Sequence, residues 1–162
     1  MDNIEWHCKM FTELNVTELY EIMKLRSEVF VVEQNCVYLD ADDKDALSYH
    51  LFTLQNGIVA AYARLLPPGL SFKEASIGRV LSAPSQRKKG LGILLMQEAI
   101  ATTLNLFNTN QIKIGAQLYL KSFYENLQFV KCSEQYDEDG IPHVEMIFEK
   151  CNKLLPKTQY FL

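Results

Sequence analysis

Apolar and polar residues alternate from Ile4 to Met10, with Ile4, Trp6, Cys8 and Met10 separated by Glu5, His7 and Lys9. A period of two predicts a half-buried strand. Asn15, followed three positions later by Glu18, has the form of a helix-opening capping box, in which each side chain satisfies the other residue's backbone N–H. Leu19, Ile22, Met23, Val29 and Phe30 then keep helical spacing to about Val32. From Glu33 to Leu47 no period is visible, and Asp40, Asp42, Asp43 and Asp45 mark a solvated loop.

Two strands follow, His50 to Gln55 and Ile58 to Leu66, around Asn56-Gly57. That dipeptide tolerates positive φ at both positions and predicts a tight hairpin. Pro67-Pro68-Gly69 ends the second strand, because proline has no N–H for a ladder. A further strand from about Ser76 to Ala83 passes through Pro84 into a basic turn, Gln86 to Gly92. The helix after it is expected to bury Ile93, Met96, Ile100 and Leu104, with Leu94 and Leu95 widening the face. A short strand (Gln111 to Ala116), a helix (Leu118 to Asn126) and two strands (Phe129 to Gln135, His143 to Glu149) around an Asp137 to Pro142 turn complete the pattern. The order is strand, helix, three strands, helix, strand, helix, two strands. It predicts a mixed α/β fold with antiparallel hairpins rather than a regular doubly wound repeat. Residues 1–150 are expected to form one domain, and the tail from Cys151 to Leu162 has no period to assign.

Composition narrows the function. The 162 residues carry 16 Lys and Arg against 20 Asp and Glu, for a net charge of −4. Nucleic acid is not expected as a partner, since phosphate binding relies on clustered surplus cations. The start, Met-Asp-Asn-Ile-Glu-Trp-His, lacks the basic and apolar regions of a signal peptide. No apolar run approaches the roughly 20 residues of a membrane span, so no membrane partner is expected. Cys8, Cys36, Cys132 and Cys151 lie far apart with no C-x-x-C pair. They read as free thiols of a cytoplasmic protein, with no metal site.

The chemistry concentrates in Val80-Leu81-Ser82-Ala83-Pro84-Ser85-Gln86-Arg87-Lys88-Lys89-Gly90-Leu91-Gly92. A turn at a helix start aims several unpaired N–H groups at one point, and the helix dipole adds partial positive charge there. Gly90 and Gly92 remove side chains that would block a close approach, while Arg87, Lys88 and Lys89 add charge. The combination suits a pyrophosphate. It matches neither G-x-x-x-x-G-K-[ST] nor a complete G-x-G-x-x-G.

Arg87-x-x-Gly90-x-Gly92 resembles the [QR]-x-x-G-x-[GA] acyl-CoA signature of GNAT N-acetyltransferases, placed as in that family between a strand and a helix. Gln117, Tyr124, Gln128 and Phe129 stand where the family usually has Asn, Tyr, Gly and Phe. Glu28 to Gln34, Ile77 to Val80 and Gly140 to Met146 look like the ElaA-like branch. The resemblance spans roughly residues 1 to 150. It implies a GNAT acyl-CoA N-acyltransferase fold, a mostly antiparallel central sheet flanked by helices. It also implies acetyl-CoA as co-substrate and an amine acceptor, either a small molecule or a protein amine. Members of the family often form homodimers, and oligomeric state stays open here.

The resemblance further implies that Val80, Leu81 and Ser82 offer backbone groups to the pantetheine arm and thioester. Arg87, Lys88, Lys89, Gly90, Leu91, Gly92 and Ile93 would surround the pyrophosphate, and Gln117 and Tyr124 would meet the arm and sulfur. Tyr124 is the expected general acid, because a phenol keeps its proton at neutral pH where a departing thiolate needs one. As packing it would simply join Phe123 and Phe129 in the core. Glu33, His50, His143 and Glu145 are base candidates, and the sequence singles out none of them. One of the acidic clusters (Asp40, Asp42, Asp43, Asp45 or Asp137, Glu138, Asp139), or Glu145, is expected to attract a cationic acceptor. The competing readings are a non-catalytic acyl-CoA sensor and a binder of another phosphate ligand.

Overall fold

The computed structural model describes residues 4–150. Strand β1 (Trp6–Met10) leads through a single turn to helix α1 (Val16–Arg26). The capping box is formed: Asn15 Oδ1 accepts from the Glu18 N–H at 2.8 Å, and the Glu18 carboxylate accepts from the Asn15 N–H at 3.0 Å. The helix does not simply run on to Val32. After Arg26 it widens into a π-type segment, Ser27–Glu33, which ends where Asn35 turns back with φ 49°.

Strands β2 (Tyr49–Gln55), β3 (Ile58–Leu66) and β4 (Ser76–Ser82) join β1 in an antiparallel sheet of order β1-β2-β3-β4. Asn56 and Gly57 turn with φ 53° and 78°, as the hairpin reading requires. Both faces of this sheet are covered, so β3 reads as a nearly unbroken apolar run instead of alternating. Phe52, Val59 and Tyr62 pack against Ile22, Leu25 and Val29 of the first helix and its extension. Leu51, Ala61, Ala63 and Leu65 face the opposite layer, helix α2 (Leu91–Leu106). The buried face of α2 differs from the periodicity reading. Leu95, Met96, Ala99 and Thr103 are buried, while Ile93 and Leu94 are 48% and 39% exposed. The alanines of β3 let the helix approach, and a small Ala99 then meets the sheet better than larger neighbours.

A second sheet contains β5 (Gln111–Gln117), β6 (Val130–Lys131), β7 (Tyr136–Glu138) and β8 (Ile141–Glu149), with α3 (Lys121–Asn126) between β5 and β6. β8 is central, pairing with the other three. The expected Phe129 to Gln135 strand shrinks to two residues, and β8 begins two residues earlier than expected. The Ser133 hydroxyl accepts from the Glu145 N–H at 2.8 Å, taking the place of a ladder bond where β6 leaves the sheet. Asp139 and Gly140 make the β7–β8 turn at φ 52° and 79°. The GNAT-like layout expected from the sequence is present: antiparallel strands flanked by helices, split into two sheets that meet at β4 and β5.

A candidate acyl-CoA cleft

A single ladder bridge, just before β4, joins the two sheets. Ala75 bridges Ile112, and the Lys113 N–H donates to the Ala75 carbonyl at 2.9 Å. Beyond that contact β4 and β5 belong to separate sheets, and the gap between them opens into a cleft of about 890 Å³. β4 lines one wall from Ser76 to Ser82, and Gly115 and Gln117 of β5 line the other. β4 is bulged inside this gap: Arg79 and Val80 stand opposite the single Ala63, between the pairs Tyr62–Leu81 and Arg64–Gly78. Arg79 takes a left-handed φ of 53° to make the bulge. A bulge leaves its extra residue outside the ladder, so backbone groups of β4 face the cleft without a strand partner. Arg79 was invisible as a special position in the sequence, because no glycine or asparagine marked the positive φ.

At the mouth of the cleft the chain passes from β4 through Pro84–Gln86 into a turn in which Lys88 and Gly90 adopt φ 62° and 80°. The first helical bonds run from Ile93 and Leu94 N–H to the Gly90 carbonyl, so the N–H groups of Leu91 and Gly92 stand ahead of the ladder. A Cβ at Gly90 or Gly92 would meet nothing within 4 Å, so both glycines face open space. Arg87 and Gly92 line the cleft, whereas Lys88, Lys89, Gly90, Leu91 and Ile93 do not contribute to its lining. The Arg87 guanidinium reaches across the mouth to Glu33, with both nitrogens on the carboxylate at 2.7 and 2.9 Å. Beside it the Gln117 amide donates to the Gln34 side chain at 3.3 Å.

Val80, Leu81, Ser82, Gln117 and Tyr124, expected to meet the arm and thioester, all line this one cleft. Tyr124 is buried between Phe123 and Phe129, both edge-on at 5.1 and 5.8 Å. It therefore packs in the core and reaches the cleft as well. Burial, with Tyr119 adding a smaller effect, pushes its phenol above the ordinary value, so it holds its proton at neutral pH.

The base candidates separate. His50 is buried away from the cleft, with Nδ1 accepting from the Tyr62 hydroxyl at 2.8 Å and Nε2 donating to the Asp45 carbonyl at 3.0 Å. Both nitrogens are used and neither lines the cleft. Glu33 lines the cleft, and the hydrogen bonds from Arg87 hold its carboxyl below the usual range. Glu145 lines the cleft but is bound to Lys113 at 2.7 Å. His143 lines the cleft, with its Nδ1 2.8 Å from the Ile141 carbonyl.

The first acidic cluster is not a solvated loop. Arg26, fully buried, holds Asp40 and Asp45 at 2.7 Å each; Arg64 binds Asp42 and Asp45, and Arg79 binds Asp40 at 2.7 Å. Three arginines neutralise three aspartates, so that cluster does not attract a cation. Only Asp43 of the cluster is free in water. The second cluster sits on the β7–β8 turn, where Glu138 and Asp139 line the rim. Cys8, Cys36 and Cys132 are free thiols, and Cys151 lies outside the described residues. Among the described residues no group of His, Cys, Asp or Glu is arranged to hold a metal ion, and no helix is long and apolar enough to cross a membrane.

Residues 23–150 match the acetyltransferase (GNAT) domain. A UPF0039 protein of Schizosaccharomyces pombe is 43% identical over 92% of the chain and 99% of its own length. Protein ElaA of Escherichia coli is 37% identical, covering 90% of the chain and 97% of that protein. Among solved structures, an acyl-CoA N-acyltransferase from Pseudomonas aeruginosa superposes with a TM-score of 0.85 at 38% identity, over 90% of this chain and 99% of that one.

Proposed function

The chain belongs to the GNAT acetyltransferase family, ElaA-like branch, and from that premise of acyl-CoA-dependent acyl transfer we propose that it moves an acetyl group from acetyl-CoA to an amine by direct attack on the thioester. The observation that carries this reading is the opening between β4 and β5, bulged at Arg79 and Val80 and flanked by the glycine turn on one side and Tyr124 on the other. In this reading the pyrophosphate rests on the N-terminus of α2, where unpaired N–H groups and the helix dipole favour anions. The pantetheine arm lies along β4, adding the strand that β5 does not supply. A backbone N–H at the bulge stabilises the oxyanion as the amine attacks, and Tyr124 donates its proton to the sulfur as the C–S bond breaks.

The acceptor enters from the end of the cleft bounded by the β7–β8 turn, where Glu138 and Asp139 present negative charge to an approaching ammonium. Small-molecule and protein amines both fit that description. Three free thiols support a reducing compartment, the cytoplasm.

Thermal unfolding with saturating acetyl-CoA, with NADH and ATP as controls, tests the co-substrate. Ligand at 100 times its dissociation constant adds about 2.7 kcal/mol, a shift of several degrees for a domain of this size. Acetyl-CoA alone is expected to produce it. Tyr124→Phe is expected to keep that shift and lose about 100-fold or more in kcat. Unchanged turnover in Tyr124→Phe would remove the tyrosine from the mechanism, and no shift in the wild type would remove the co-substrate.

A further inference from the structure

Transfer to an alkylamine needs a group that takes the ammonium proton, and three of the five carboxylates that line the cleft are engaged, Glu33 by Arg87, Asp42 by Arg64 and Glu145 by Lys113, while Glu138 and Asp139 stand on the exposed β7–β8 turn. His143 differs. Its Nδ1 lies 2.8 Å from the Ile141 carbonyl, an acceptor, so Nδ1 carries the hydrogen and donates it. In the neutral ring that leaves the lone pair on Nε2. The nearest carboxylate oxygen, on Glu138, is 3.9 Å from Nε2, beyond hydrogen-bond reach. His143 pairs with Gln117 in the β5–β8 ladder, and both residues line the cleft.

The ring is held in place by Tyr136. The two residues are register partners between β7 and β8, and their rings stack with centroids 5.9 Å apart at 27°. Tyr136 in turn lies over β5, because position 115 is glycine: a Cβ there would come within 3.0 Å of the Tyr136 hydroxyl. The absent side chain of Gly115 thus seats the tyrosine, and the tyrosine backs the imidazole.

Resting on the acetyl-transfer reading above, we propose that His143 is the general base of the reaction and that Tyr136, seated on Gly115, is its positioning residue. The bound ammonium gives one proton to Nε2, and the imidazolium discharges it to water in the open cleft. The nitrogen lone pair then bonds to the thioester carbon. The tetrahedral adduct collapses with the C–S bond pair leaving on sulfur, which takes its proton from Tyr124. The nitrogen loses its second proton to the same imidazole. The phenolate of Tyr124 is reprotonated from solvent, so each turnover releases one proton overall.

The test uses ethylamine and methoxyamine, which are nearly the same shape, at pH 7 with acetyl-CoA and the full chain. Ethylamine is protonated there and needs a base, whereas methoxyamine is already neutral. His143→Gln is expected to lose about 100-fold or more in kcat with ethylamine. With methoxyamine the loss is expected to stay below tenfold, with KM for acetyl-CoA unchanged in both cases. Equal losses with the two amines, or none, would overturn His143 as base while leaving acetyl transfer standing. A wild-type protein that binds acetyl-CoA yet acetylates neither amine would overturn the transfer reading and the base together.

For the positioning role, Tyr136→Ala is expected to lower kcat with ethylamine and leave KM for acetyl-CoA alone, and Tyr136→Phe to restore most of it, since the ring does the stacking. Gly115→Ala is expected to lower kcat several-fold, and adding Tyr136→Phe to it to recover the loss by removing the atom that the new methyl meets. A double variant no better than Gly115→Ala would overturn the seating.

Discussion

His50 and His143 are the same residue type in opposite surroundings: His50 is buried with both ring nitrogens bonded, whereas His143 lines the cleft with one nitrogen bonded. His50 has both nitrogens bonded inside the protein, and burial pushes it below its ordinary 6.5. The unfolded chain therefore takes up a proton near that value while the folded chain does not. Stability is expected to fall by up to about 1.4 kcal/mol per pH unit as the pH drops from 6.5 towards the depressed folded value. Buffered thermal melts from pH 7.5 to 5 check this, and His50→Gln, though less stable, is expected to flatten the slope across that window. Asp42 and Asp45, held below the ordinary 3.8 despite their burial by the arginines that bind them, lose their contribution only in more acid solution. Neither histidine's role was legible in the sequence. Both lie near the starts of strands, and only the position of each in its sheet decides whether a ring nitrogen meets a carbonyl, a hydroxyl or open space.

Among the elements, the turn into α2 was the most legible, because its spacing carries its physics. The two glycines there are expected to behave differently. Gly90 adopts φ 80°, so Gly90→Ala is expected to destabilise the fold by about 1 kcal/mol, read from thermal or urea unfolding. Gly92 has an ordinary helical backbone and open space above it. Gly92→Leu is expected to leave stability nearly unchanged and to weaken acetyl-CoA binding about tenfold or more, roughly 1.4 kcal/mol, measured by calorimetry. An unchanged affinity would mean that the ligand does not pass over this helix start. The capping box of α1 and the Asn56-Gly57 hairpin were equally plain, since both are local bargains between neighbours in the chain. The buried face of α2 was not. Its many apolar residues fit several faces, and the alanines of β3 selected the one centred on Ala99.

At the scale of the whole molecule, Arg26 ties three regions that are remote in sequence. It links the end of α1 to the 40–45 loop, and through Asp45 and Asp40 to Arg64 on β3 and Arg79 on the β4 bulge. Arg26→Met would leave three carboxylates facing two guanidiniums, with one negative charge uncompensated beside the core, and is expected to lower the unfolding free energy by about 3–5 kcal/mol in denaturant titrations. The sequence alone determined what depends on neighbours within a few residues: the order of strands and helices up to α3, the tight turns, the α1 cap and the glycine turn that opens α2, whereas β7 lies where the sequence reading placed a turn. The tertiary structure decided what depends on distant partners. It turned four loop aspartates from a solvated cluster into three that share ion pairs with three arginines and one exposed side chain, bound both ring nitrogens of His50 inside the protein, and opened β4 from β5. The physical reason is the same in each case. A charge, a ring nitrogen or a strand edge acquires its function from what fills the space beside it, and that space is bounded by residues tens of positions away.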